Sequence, residues 1–162
     1  MEKISLMDQL LLISPAGLQT FLKRHESSLI RSDRPFTDYM RAKFRENGIS
    51  EQNVFLSADL SERYGYKLIS GEKRTRQRDV ILRLCLSAEF HLDEVREALM
   101  LYGMSPLHDR IPRDMAFIVA FNKRIFEIHD VDAILRDNNL SPFLTLDDQL
   151  QLQQIGGRKI LC

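Results

Sequence analysis

Apolar residues recur three and four positions apart along most of the chain, which is the period of amphipathic α-helices. The apolar run 115–121 fits a buried strand as well as a helix by periodicity alone, but a lone strand would have no pairing partner, so we predict a helix there. The sequence therefore predicts an all-α fold. The predicted helices lie near residues 3–13, 14–25, 36–47, 50–58, 61–70, 75–88, 91–102, 112–121, 128–135 and 145–155.

The centre of this pattern is the segment 49–71, which is typical of two short helices joined by a tight turn. Ser50 and Ser61 are predicted N-caps, because a serine hydroxyl can accept the free N–H groups of a first helical turn. Residues 58–60 interrupt the apolar period, and Gly71 follows the last apolar position as a helix stop. A helix, a break of about three residues and a second helix have the dimensions of a helix-turn-helix.

These residues carry a family resemblance. The matching positions are Val54, Leu60 and Leu68 (aliphatic), Ser61 (polar start) and Gly71 (closing glycine). On them, the segment resembles the helix-turn-helix of the lambda-repressor-like (Cro/repressor-type, XRE) family of bacterial and phage regulators. The run 64–79 also resembles a narrower group of small all-helical bacterial regulators, and a looser resemblance extends over residues 34–143. Three positions depart from the family pattern. Phe55 replaces a small residue, Asp59 replaces the turn glycine, and Gly65 replaces a core aliphatic residue.

The resemblance implies a sequence-specific, DNA-binding regulator of transcription that places helix 61–70 in the major groove and a basic loop, 73–78, on phosphates. The candidate contacts are Ser61, Glu62, Arg63, Tyr64, Lys67, Lys73, Arg74, Arg76 and Arg78. Arg63 is the best candidate for a base contact, since a guanidinium can pair bidentately with guanine. Such regulators bind double-stranded DNA as homodimers across two half-sites.

The basic loop leads into the next predicted helix, for which Thr75 is the predicted N-cap. Arg76 and Arg78 would then stand where the helix dipole disfavours cations. A DNA phosphate at the same helix start would reverse that cost, because phosphate is bound by free N–H groups and guanidinium groups together.

A protein-interaction or signalling adaptor on the same scaffold is the alternative function. Gly65 lowers the helix propensity of the predicted recognition helix, and Glu62 brings a negative charge towards the phosphates. The polar connector 27–35 is the best candidate boundary, so we predict an N-terminal helical extension over 1–33, a helix-turn-helix domain over 34–103 and a C-terminal helical extension over 104–162. Either extension could supply a dimer or protein-partner surface, and the N-terminal helices could instead cap the core.

Charge is balanced overall, at 23 basic and 23 acidic residues, but it is segregated. Residues 34–78 hold ten Lys or Arg against six acids, so that region carries plus four and the rest of the chain minus four. Any attraction to nucleic acid must therefore come from the helix-turn-helix region.

The remaining chemistry is sparse. Cys85 and Cys162 are too few for a disulfide framework or a cysteine metal cluster, and a reducing cytoplasm is the simplest location. The four histidines are scattered, and the sequence contains no Gly-rich phosphate loop, zinc-ligand spacing or nucleophile elbow. We expect neither a signal peptide nor a membrane-spanning segment. We therefore expect no enzymatic activity, cofactor or metal site.

Overall fold

A computed structural model describes residues 4–143, and helices are the only regular secondary structure over that range, which confirms the predicted all-α fold. The chain divides into two compact units at Asp33 and Arg34, and each unit is described by itself. The three-part domain division stays a prediction. The predicted last helix, 145–155, lies outside the described residues.

The first unit contains two short helices. Helix α1 spans Leu6–Leu10 and α2 spans Leu18–Arg24, with 3₁₀ turns at Pro15–Gly17 and Glu26–Ser28. Phe21 is the only apolar side chain of residues 4–33 that is buried. Most of the apolar face predicted for these helices is therefore exposed within the unit itself.

The second unit contains the other seven helices of the described chain. They are α3 (Pro35–Glu46), α4 (Glu51–Ser57), α5 (Glu62–Ser70), α6 (Arg78–Ser87), α7 (Leu92–Tyr102), α8 (Pro112–Asn122) and α9 (Ile128–Asp137). They share one hydrophobic core. Helix α6 lies at its centre, since all its residues from Val80 to Leu86 are buried and it packs against α4, α7 and α9. The run 115–121 lies in α8, so the predicted helix there is confirmed.

Six of these helices end in the same way. A residue with φ between +56° and +85° follows the last turn, and the apolar residue after it donates its N–H to the carbonyl five positions back. This is the hydrogen bond of a Schellman-type helix end, in which the apolar residue packs back onto the helix. The left-handed positions are Gly48, Asp59, Glu89, Gly103, Arg124 and Asn139.

The hairpin of α6 and α7 and the hairpin of α8 and α9 form an internal repeat. Each begins with the dipeptide Arg-Asp, at Arg78 and at Arg113. The two first helices end at the left-handed residues Glu89 and Arg124, and the two second helices end at Gly103 and Asn139.

Contacts between the two hairpins are reciprocal. Arg78 pairs with Asp114, and Arg113 pairs with Asp79 at 2.6 Å. Helix α6 packs against α9, and α7 packs against α8. When residue i of one copy contacts residue j of the other, and j contacts i, the copies are related by a two-fold axis. The hairpins therefore have approximate two-fold symmetry within one chain.

Candidate nucleic-acid interface

Helices α4 and α5 form the predicted helix-turn-helix segment, and its predicted caps are confirmed. The Ser50 hydroxyl accepts the N–H of Asn53, and the Ser61 hydroxyl accepts the N–H of Tyr64, each at 3.2 Å. Gly71 ends α5 with φ +86°. Local side-chain chemistry therefore sets both helix starts and the helix end.

Two departures from the family pattern compensate each other. A Cβ placed on Gly65 would lie 2.4 Å from two ring carbons of Phe55, so the ring occupies the space that a side chain at position 65 would need. Both residues are buried between α4 and α5. The third departure, Asp59, takes the left-handed conformation that the turn requires, with φ +56°. Helices α4 and α5 therefore pack against each other with the Phe55 ring in the space that Gly65 leaves open.

Helix α5 presents a mixed face to solvent. Glu62, Arg63 and Tyr66 are exposed, and Lys67 is partly exposed. Glu62 accepts a hydrogen bond from the side chain of Gln52 on α4 at 3.3 Å. The charged positions predicted for this helix therefore lie on its accessible side.

Tyr64 differs from the other predicted contacts on α5. It packs against the hydrophobic core, and burial raises the pKa of its hydroxyl, which also hydrogen-bonds to Thr75. Its ring helps to join α5 to the loop that follows.

Two arginines of the basic loop are bound within the protein. Arg74 donates to the Tyr102 carbonyl at 2.6 Å, and its guanidinium lies 4.2 Å from the centroid of the Tyr102 ring. Arg78 pairs with the buried Asp114 and donates to the Ser105 carbonyl at 3.3 Å. Both side chains fasten the loop to the end of α7 and the segment after it.

The predicted N-cap at Thr75 is wrong. Helix α6 begins at Arg78 with Gln77 at the cap position, and the Thr75 hydroxyl accepts the Gln77 N–H at 3.0 Å. The Thr75 N–H donates to the Tyr102 hydroxyl at 2.8 Å, which holds the loop away from a helical path. The cation at the helix start is Arg78, and a carboxylate of the protein already faces it.

Four cations of the predicted set remain available. Within residues 4–143, none of Arg63, Lys67, Lys73 and Arg76 forms a salt bridge, and all but Lys67 are exposed. The Lys73 N–H donates to the Lys67 carbonyl at 3.0 Å, which folds the loop back onto the last turn of α5. Arg76 lines an open cleft of about 560 Å³ together with Tyr102. Helix α5 and the loop that folds back onto it thus carry four available cations and two exposed acids, Glu62 and Glu72.

Sequence reasoning missed the residues that hold the loop, Tyr102 and Asp114. Tyr102 reads as one more apolar position of a helix, and Asp114 as an ordinary acid in a first helical turn. The one signal for Asp114 was that Arg113-Asp114 repeats Arg78-Asp79.

Other chemistry is limited in the described part of the chain. Cys85 is fully buried, and that burial raises the pKa of its thiol. Within residues 4–143, no three His, Cys, Asp or Glu side chains come together as metal ligands. No helix of the same residues has the length and apolar character needed to cross a membrane.

Comparison of the chain with models of known protein families gives no match, and comparisons with curated proteins and with solved structures give none either.

Proposed function

We propose that this chain is a DNA-binding regulator of transcription that places α5 in the major groove of double-stranded DNA. One observation carries the proposal: α5 and the loop that follows it carry four cations without a salt bridge in the described residues, and the loop folds back onto α5 at Lys73. Arg63 would read a base edge, while Lys73 and Arg76 would hold phosphates.

In this proposal the other two loop arginines position the loop. Arg74 and Arg78 are held by Tyr102 and Asp114, so they fix the course of the loop that carries Lys73 and Arg76. The compensated pair of Phe55 and Gly65 supports the proposal too, since it keeps the two helices close. The regulator would act in a bacterial cytoplasm as a homodimer, with half-sites about 34 Å apart.

The test measures binding of the purified chain to labelled random-sequence duplex DNA at several salt concentrations between about 50 and 200 mM. With three phosphate contacts per chain, from Lys67, Lys73 and Arg76, the log–log slope of affinity against salt should be about −2.7 for each chain bound. The double variant Lys73→Ala/Arg76→Ala should reduce the slope to about −0.9 per chain. Arg96→Ala is the matched control, because Arg96 is an exposed arginine on α7 without a salt bridge in the described residues.

Absence of binding at the lowest salt would refute the proposal. The adaptor function would then be favoured, and one observation already supports it: Glu62 and Glu72 lie on the same helix and loop as the four cations and lower the net charge of that segment to plus two, four minus two. Arg63→Ala separates base reading from phosphate binding, since it should cost about 1–3 kcal/mol on a selected operator and much less on random duplex.

A further inference from the structure

Helix α8 carries an apolar stripe that the described residues of its unit, 34–143, leave exposed. Ile111, Met115 and Val119 follow one another at four-residue spacing and are 48%, 47% and 52% exposed. Residues four apart lie on the same face of a helix. The stripe borders a groove of about 380 Å³ between α8 and α9, whose lining also includes Ala116, Ile134 and Leu140.

The internal repeat shows what covers this face in the other hairpin. Met115 and Val119 correspond to Val80 and Leu84, 35 residues earlier, which are 2% and 0% exposed. Those two residues are buried on α6, against which α4 packs. The same helical face is therefore covered in the first hairpin and open in the second.

In the first hairpin, the second helix is contacted by another helix of the same unit. Helix α3 packs against α7, and the Phe36 ring meets the Tyr102 ring edge to face at 4.7 Å. Tyr102 precedes the left-handed Gly103 as Asn138 precedes the left-handed Asn139, so these two residues correspond to each other. Asn138 lines the open groove. The apolar residues that α3 buries, Phe36, Met40 and Phe44, are four apart.

We propose that the groove between α8 and α9 binds an amphipathic helix of a protein partner, one that carries large apolar side chains four residues apart as α3 does. The groove is apolar and already formed, and by the internal symmetry its helix α9 matches α7, against which α3 packs. Lys123 stands where the first hairpin has the buried Ala88, so the apolar stripe ends there and accommodates about two to three helical turns.

The probe is a fluorescent peptide with the sequence of residues 34–47, acetylated and amidated, titrated by anisotropy with the full chain up to about 1 mM. A helix of this length is marginal in water, so the complex should be weak but saturable. Met115→Glu and Val119→Glu should each weaken binding at least about tenfold, since each places a charge in the groove. Met100→Glu is the matched control, because Met100 is 60% exposed on α7.

Absence of saturable binding would overturn the proposal. So would binding that Met115→Glu leaves unchanged, because the peptide would then occupy another site. A chain that sediments as a dimer until Met115→Glu makes it a monomer would assign the groove to a second copy, which also overturns the proposal. Circular dichroism checks that each variant stays helical. No DNA is present, so the outcome is independent of the DNA-binding proposal.

Discussion

Gly65→Ala tests how α4 and α5 fit together. Alanine gains about 1 kcal/mol of helix propensity over glycine. Its Cβ, however, would lie 2.4 Å from the Cγ and Cδ1 of Phe55, whose ring is fully buried and has no solvent to move into. Overpacking a filled core costs about 1–3 kcal/mol, and Cγ is the ring atom that rotation displaces least, so the upper half of that range applies. We expect a net loss of about 1–2 kcal/mol.

The sign of this effect should reverse when the ring is removed. In a Phe55→Ala background the added methyl meets no ring, so the gain in helix propensity of up to about 1 kcal/mol should remain. The difference is a coupling free energy of about 2–3 kcal/mol between the two positions. The assay is urea unfolding of the full chain, followed by circular dichroism, for the wild type, both single variants and the double variant.

A stabilising Gly65→Ala change in the wild-type background would refute the reasoning, because it would show that the Phe55 ring can move aside without loss of stability. A coupling free energy below about 0.5 kcal/mol would do the same, since that is the size expected for independent sites. Arg63→Ala on the exposed side of α5 is the control and should change the stability by less than about 0.5 kcal/mol.

Three further predictions concern the packing of α6, α7 and α8. Asp114→Ala removes a buried carboxylate and leaves Arg78 without its charge partner. Urea unfolding should show a loss of about 2–3 kcal/mol, which is below the roughly 3–5 kcal/mol of a fully buried pair because Arg78 is partly exposed. In a Cys162→Ser chain, the buried Cys85 thiol should react with iodoacetamide only as fast as the protein opens, and reaction at the rate of a free thiol would contradict its burial. Glu89→Gly relieves a left-handed conformation at φ 58° and should raise the free energy of unfolding by about 0.5–1 kcal/mol, whereas destabilisation would show that Glu89 makes a contact worth more than the strain.

The sequence predicted those features that depend on neighbours along the chain. Ser50 and Ser61 cap helices through N–H groups three residues away, and Gly71 ends α5 by its own conformation. The cap at Thr75 failed because its N–H is bound by the Tyr102 hydroxyl, 27 positions along the chain. No local pattern reports a contact at that distance, so the start of α6 was placed too early.

The internal repeat was missed for a related reason. Its two copies have helices that end at equivalent positions but few identical residues. The left-handed residues at those ends are Glu89 and Gly103 in one copy and Arg124 and Asn139 in the other. Only the two Arg-Asp dipeptides mark the repeat in the sequence. Their role is visible only in the packed structure, where the arginine of each dipeptide pairs with the aspartate of the other.

The count of charges overstated how many cations could reach DNA. It included Arg41 and Lys43, which pair with Glu51 and with Glu46 and Glu94, and it included Arg74 and Arg78, which the protein holds itself. The salt dependence of DNA binding distinguishes the two counts. Without Arg63, which would contact a base, five phosphate contacts from α5 and the loop would give a slope of about −4.5 per chain, and the three available cations about −2.7. A measured slope near −4.5 per chain would mean that Arg74 and Arg78 leave their partners on binding, so that the loop rearranges, whereas a slope near −2.7 would mean that the loop binds as it stands.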